Sequence, residues 1–327
     1  MANTSLSCVL LVSPATTANR IPFEGIGRIT GRQEPRERLF FSLFFSCCIL
    51  NDHLIPLKVD MPRVVILCGG QGTRLREETE FRPKPLVDVG GKPILWHIMK
   101  LYAHHGFADF VICLGYRGNM IKEYFLNYEA MNNDFSMRLG TQNELTFHDE
   151  HREQDFRVTL AETGQDTMTG GRVKRVSRYL DDGDFFVTYG DGISDVDIRK
   201  LYEFHKSHGK LATITTVRPT SRFGILDVAP DGRVMKFVEK PQIDGIASAG
   251  FMVFKRKVLD YLDPHCILET TPLETLVAEG QLMSYHHEGF FYAMDTYREY
   301  KALNELWDSG AAPWRVWDNC DIEKGSV

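Results

Sequence analysis

Residues 64–75 read Val-Val-Ile-Leu-Cys-Gly-Gly-Gln-Gly-Thr-Arg-Leu, a short apolar run that passes straight into glycines. A continuous apolar run bounded by a turn signal describes a strand buried on both faces, as in parallel sheets. The glycines let the chain turn tightly and bring backbone N–H groups against an anion. Two known phosphate loops are excluded by position. The dinucleotide fingerprint needs a glycine three residues after Gly72 and meets Leu75, and a Walker A loop needs Gly-Lys-Ser/Thr where this chain has Gly72-Thr73-Arg74. The loop does carry a cation, Arg74, and a second basic segment follows at Arg82-Pro83-Lys84-Pro85, where the flanking prolines restrict the backbone of Lys84. Amides plus two cations suit a nucleoside triphosphate whose leaving group is pyrophosphate.

Outward from this loop, apolar strand-like runs alternate with amphipathic helical ones. Pro93 opens a helical pattern carried by Ile94, Leu95, Ile98, Leu101 and Tyr102 up to Gly106. Strands are expected at 110–114, 185–189 and 212–217, with helices at 120–128 and 197–207. This rhythm predicts an α/β fold, a mostly parallel Rossmann-like sheet with helices on both faces. The later part is richer in strand signals, at 224–228, 234–239 and 249–254. Helical runs at 271–279 and 297–309 follow, so a small C-terminal subregion, part β and part helical, is expected to cover the main domain.

The chain has 327 residues, 43% of them hydrophobic, ample for a core. Its net charge of −6 argues against nucleic acid or an anionic membrane as partner. Seven cysteines without a CxxC pair specify neither a disulfide framework nor a zinc site, so reduced thiols in a cytoplasmic protein are expected. Residues 1–60 read differently. No apolar period runs through 3–33, and the apolar run at 39–50, at twelve residues, is too short to span a bilayer. A leader, an anchor and an upstream extension before a start at Met61 all remain open. The stretch is expected to be poorly ordered and without catalytic function, leaving a catalytic domain at 61–317 and a tail at 318–327.

The motifs themselves resemble a known family. The glycine loop through Leu75, Arg82-Pro83-Lys84-Pro85-Leu86-Val87 and Gly91-Lys92-Pro93-Ile94-Leu95 look like the signature of sugar-phosphate nucleotidyltransferases. Arg76-Glu77-Glu78-Thr79 and Trp96-His97-Ile98-Met99 are similar to the family's glucose-1-phosphate cytidylyltransferase branch. The likeness continues through Thr167-Met168-Thr169-Gly170-Gly171-Arg172, Tyr189-Gly190-Asp191-Gly192, Arg222-Phe223-Gly224, Glu239-Lys240-Pro241 and Met294-Asp295-Thr296.

The resemblance implies the fold of nucleotide-diphospho-sugar transferases and transfer of a cytidylyl group from CTP to glucose 1-phosphate, giving CDP-glucose and pyrophosphate. Asp191 and Asp295 would hold Mg²⁺, which prefers one or two carboxylates together with phosphate oxygens and water. Arg74 would face the leaving pyrophosphate and Lys84 the transferred phosphoryl. Leu67, Gly69, Gly70, Gln71, Gly72, Thr73, Thr167, Arg172 and Gly190 would line the nucleotide site, with Glu239, Lys240 and Ser248 at the sugar phosphate. Ser248 stands where the family commonly has Asn, which opens the choice of sugar. A phosphate monoester is already largely dianionic near neutral pH, with a second pKa of about 6, so no general base is required. UTP or dTTP in place of CTP is left open by the residues themselves, as is a non-catalytic relative that binds sugar nucleotides. The expected assembly is a homo-oligomer, and the product suits surface-polysaccharide or deoxysugar synthesis.

Other features suggest chemistry and are read otherwise. The stretch 148–151, with two histidines and two acids, is expected to be a solvated loop. His104-His105 is expected at a helix end and His286-His287 on a strand face. Cys68 is expected to be a buried small residue without a basic partner. Trp307, Trp314 and Trp317 fit either a subunit contact or core packing.

Overall fold

A computed structural model describes residues 61–140, 144–148, 153, 155–221, 223–242 and 245–317. The expected N-terminal extension and the tail at 318–327 lie outside the described residues. All four side chains of Val64–Leu67 (β1) are buried, and they divide by parity: Val64 and Ile66 enter one core, Val65 and Leu67 another. A two-residue period with both faces apolar requires a helical layer on each side. The next strand, Asp109–Leu114 (β2), repeats the division, with Phe110, Ile112 and Leu114 in the first core and Val111 and Cys113 in the second.

The main sheet also contains Arg157–Glu162 (β3), Asp184–Tyr189 (β4), Ala212–Val217 (β5), Ala247–Lys255 (β6) and Leu282–His286 (β7), in the order β7-β5-β6-β4-β1-β2-β3. β1 runs parallel to both β2 and β4, and β2 parallel to β3. Only β6 is reversed, pairing antiparallel with β4 and β5, while β7 is again parallel to β5. The first core is closed by helices Ile94–His104 (α1), Gly118–Leu126 (α2), Ile198–His208 (α4) and Tyr297–Asp308 (α6). The second is closed by Thr169–Arg175 (α3), Thr271–Ala278 (α5) and the 3₁₀ turn Arg256–Tyr261.

The expected C-terminal subregion resolves into separate parts. β6 and β7 belong to the main sheet, the hairpin Ile225–Val228 with Val234–Val238 stands apart as its own two-stranded sheet, and α6 packs on the first core. Three further differences have local causes. The helix expected at 120–128 breaks at Asn127, whose side chain caps Glu123 O at 2.8 Å before a second short helix, Tyr128–Asn132. β3 escaped the sequence reading because only Ala161 in it is fully buried, the mark of an edge strand with a weak apolar signal. The hairpin Phe135–Arg138 with Glu144–Phe147 was likewise not foreseen.

Trp314 is fully buried, and Trp307 and Trp317 pack partly buried against the same core. The three surround His97 of α1, at centroid distances of 4.7 Å (Trp307) and 6.2 Å (Trp314 and Trp317). Core packing is therefore their role within this chain. His104 ends α1 and His286 ends β7, as expected. His148 follows the second hairpin strand, and 149–151 lie outside the described residues.

Candidate active site

The parallel strands β1, β2, β4, β5 and β7 all present their carboxyl ends to one edge of the sheet, where open α/β sheets bind ligands. There the glycine loop leaves β1, and Gly190-Asp191 leaves β4. The loop's glycines answer different demands. Gly72 has φ +63°, a left-handed backbone that L residues avoid, whereas a Cβ on Gly69 would lie 2.0 Å from Arg172 Nη1.

Arg172 explains that crowding. Its guanidinium donates to five acceptors: Leu114 O (3.0 Å), Thr163 Oγ1 (2.7 Å), Gly164 O (2.7 Å), Gly69 O (3.0 Å) and Gln165 O (3.0 Å). It thereby clips together the glycine loop, the end of β2 and the turn after β3. Burial pushes its pKa below the ordinary arginine value, and all five partners are uncharged. Gly69 O also accepts from Tyr116 N (3.1 Å), and Gly72 O accepts from Leu75 N (3.1 Å) and Thr79 Oγ1 (3.0 Å). The carbonyls at both ends of the loop are thus held by protein donors, leaving its amides for an anion.

Packed against Gly72 of the loop, Lys84 lies in a single 3₁₀ turn, Lys84–Leu86, started by Pro83 at φ −66°, and its side chain is only 9% exposed. Its ammonium donates to Asp191 Oδ2 at 2.6 Å and Asp295 Oδ1 at 2.8 Å. The two carboxylates meet because Gly192–Ser194 and Phe291–Ala293 pair antiparallel, with Met294 N donating to Asp191 O at 2.9 Å. Arg74 reaches the other oxygen of Asp295 at 3.0 Å but stays 70% exposed at the rim. Immediately after Asp295, α6 opens with a capping box in which Thr296 N donates to Glu299 Oε2 at 2.6 Å, fixing the backbone that bears this carboxylate.

Arg74, Lys84, Arg172 and Asp191 border a cleft of about 360 Å³. Residues 63–290 match the nucleotidyl transferase family. The chain belongs to that family. A glucose-1-phosphate cytidylyltransferase from Salmonella typhimurium is 48% identical over 259 residues, 78% of this chain and 100% of the relative. A probable glucose-1-phosphate cytidylyltransferase from Bacillus subtilis is 42% identical over 257 residues, again 78% of this chain and 100% of the relative. Among solved structures, HddC from Yersinia pseudotuberculosis has a TM-score of 0.56 at 25% identity, covering 76% of this chain and 100% of that one.

In this nucleotidyl transferase the cleft is lined by Leu67, Gly69, Gly70, Gly72, Thr73, Arg74, Lys84, Thr167, Arg172, Gly190 and Asp191 among the residues expected from sequence. Asp295 joins through Lys84 and Arg74, and Gln71 is exposed beside the loop without lining the cleft. Glu239 and Lys240 sit apart, at the end of the Val234–Val238 strand, paired with each other at 3.4 Å. Lys240 holds φ +47°, a conformation that costs a non-glycine residue energy. Ser248 is on β6, where its Oγ accepts from Gly250 N at 3.2 Å. Cys68 is buried at the cleft wall, and that burial pushes its thiol far up, which disfavours the thiolate. Sequence reasoning missed Tyr189, Met168 and Thr169 in the cleft wall. Their positions within the quoted motifs were the available signal.

Proposed function

We propose that this chain transfers the cytidylyl group of CTP to α-D-glucose 1-phosphate, releasing pyrophosphate and CDP-glucose, with the catalysis carried by residues 61–317. The observation that carries this reading is one buried lysine held by two carboxylates and packed against the glycine loop, whose Gly69 and Gly72 carbonyls are occupied by protein donors. The match over the whole length of a glucose-1-phosphate cytidylyltransferase, at 48% identity, supports the choice of base and sugar.

The chemistry needed is positioning and charge neutralisation. A sugar 1-phosphate oxygen attacks the α-phosphorus of CTP, the bond to the β-phosphate oxygen breaks, and pyrophosphate departs. The loop amides and Arg74 hold the departing phosphates, and Arg172 keeps the loop in register. Lys84 stabilises charge on the transferred phosphoryl, an electrostatic effect strengthened by exclusion of water. Asp191 and Asp295 already converge on one cation, the Lys84 ammonium, and as hard oxygen donors they fit Mg²⁺ together with substrate phosphates. When bound there, Mg²⁺ would polarise phosphoryl oxygens and neutralise their charge. Glu239, Lys240 and Ser248 contact the sugar phosphate in this reading.

Two further parts of the reading concern setting. Phe135, Leu145 and Phe147 on one hairpin, and Ile225, Met235 and Phe237 on the other, are exposed, which supports a homo-oligomer joined through these faces. Among the described residues no helix is long and apolar enough to cross a membrane, and Cys68, Cys113 and Cys266 are free thiols, in keeping with a cytoplasmic enzyme.

The test is pyrophosphate release by the full chain with Mg²⁺ and glucose 1-phosphate against CTP, UTP, dTTP, ATP and GTP in turn. Release with CTP well above the rest supports the reading. Release favouring another nucleotide overturns the base, and silence with every nucleotide and sugar 1-phosphate overturns the enzyme.

A further inference from the structure

The wall of the cleft formed by α3 is tied to the strand that bears Asp191 by a residue outside every motif quoted above. Tyr189 is the last residue of β4, two positions before Asp191, and it lines the cleft together with Met168 and Thr169 at the start of α3. The Tyr189 hydroxyl donates to Glu269 Oε1, and Thr169 Oγ1 donates to the other oxygen, Oε2, at 2.6 Å. Thr169 Oγ1 also accepts from Leu268 N at 2.9 Å, and Gly171 N donates to Cys266 O at 3.1 Å. The segment 266–269 is thereby fastened to α3 at three points, and one carboxylate extends the fastening to β4.

On its other side the Tyr189 ring packs closely on backbone. Gly250 of β6 faces it with φ +77°, and a Cβ there would lie 2.3 Å from Tyr189 Cδ2. Burial, reinforced by the Glu269 charge, pushes the phenol pKa upward, so the hydroxyl remains a donor to Glu269 at every working pH. A hydroxyl–carboxylate bond is among the stronger side-chain hydrogen bonds.

We infer that Glu269 is a positioning residue for nucleotide binding. Its two oxygens set the spacing between the Thr167–Arg172 side of the cleft and the β4 end that carries Asp191, without touching the substrate. The inference rests on the reading that the nucleotide occupies this cleft. Loss of the carboxylate releases α3 from β4 and widens the nucleotide wall, while the sugar side, built on β6 and the hairpin at 225–238, keeps its geometry.

The experiment compares the full-length wild type with E269A, E269Q and Y189F. In E269A the KM for CTP should rise about tenfold, the scale expected for charge-assisted hydrogen bonds, with kcat and the KM for glucose 1-phosphate within about twofold of wild type. E269Q should recover most of this, since its amide accepts from one hydroxyl and donates to the other. Y189F should show a smaller rise in the same constant. Hydrogen exchange supplies a readout independent of turnover: the amides of Gly171 and Leu268 should exchange faster in E269A. Unchanged exchange, or an equal loss in all three kinetic constants alongside a lowered Tm, would overturn the assignment. If wild type fails to turn over CTP, the substrate reading fails instead, and exchange at Gly171 and Leu268 still decides the role of Glu269.

Discussion

Lys84 and Arg172 are both buried cations, yet their surroundings assign them different work. Lys84 has two carboxylates within 2.8 Å and lines the cleft, so its ammonium is a charge held at the cleft wall. Arg172 spends its guanidinium on uncharged backbone and threonine oxygens, which makes it a clamp on the loop. Replacing Lys84 with Ala should therefore lower kcat by 100-fold or more on the order-of-magnitude scale of lost transition-state stabilisation. The KM for CTP should change far less, and steady-state kinetics separate the two. R172K keeps the charge but loses the planar fork. It should raise the KM for CTP and lower the unfolding free energy by about 2–3 kcal/mol, because Gly164 O and Gln165 O in the turn after β3 lose their donor; urea denaturation beside kinetics checks both. The residue types at 74, 84, 191 and 295 were readable in the sequence because each sits in a short motif. The meeting of Lys84 with Asp191 and Asp295, 107 and 211 positions away, was not, since it depends on two strands pairing across the chain. Glu269 was invisible for the same reason: its partners are 80 and 100 positions away.

Elements carry these residues with differing degrees of local instruction. β1, β2 and β4 were legible because their apolar runs are continuous, as burial on both faces requires. β3 and the strand pair Phe135–Arg138 and Glu144–Phe147 were not, because an edge strand or an open face needs no such run. The start of α4 is written locally: Asp197 Oδ1 accepts from Lys200 N at 2.9 Å. Asp197→Ala should cost about 1 kcal/mol of stability, read from thermal or urea unfolding, with catalytic constants unaltered. Ile66→Ala in β1 should cost about 2–5 kcal/mol, since the side chain is fully buried in the core beneath the glycine loop.

Across the whole molecule, the C-terminal tryptophans link the far end of the chain to the first helix after the site through His97. Its Nε2 lies 2.8 Å from Val89 O and its Nδ1 is 3.3 Å from Trp314 Nε1, so the ring donates at one nitrogen and accepts at the other, which only the neutral imidazole can do. Burial lowers its pKa to about 4. Between pH 6.5 and about 4 the unfolded chain therefore takes up a proton here that the folded chain refuses, and stability falls as the pH is lowered through that window. His105, also lowered to about 4 by burial, acts in the same direction. The loss from His97 alone is about 2 kcal/mol by pH 5, rising to on the order of 3 kcal/mol below pH 4. Urea midpoints at pH 7.5 and pH 5 should show this decline, and a midpoint that holds or rises on acidification would contradict it.

If the cleft bounded by the glycine loop, Lys84 and Asp191 performs the transfer, Asp191→Asn should stop it. The change removes the charge of a partly exposed carboxylate and leaves its size, so the fold should persist with Tm close to wild type. Pyrophosphate release from CTP and glucose 1-phosphate, measured across a Mg²⁺ titration, should fall at least 100-fold in kcat, a scale set by lost electrostatic stabilisation. Turnover equal to wild type at saturating Mg²⁺ would remove Asp191, and with it this cleft, from the reaction.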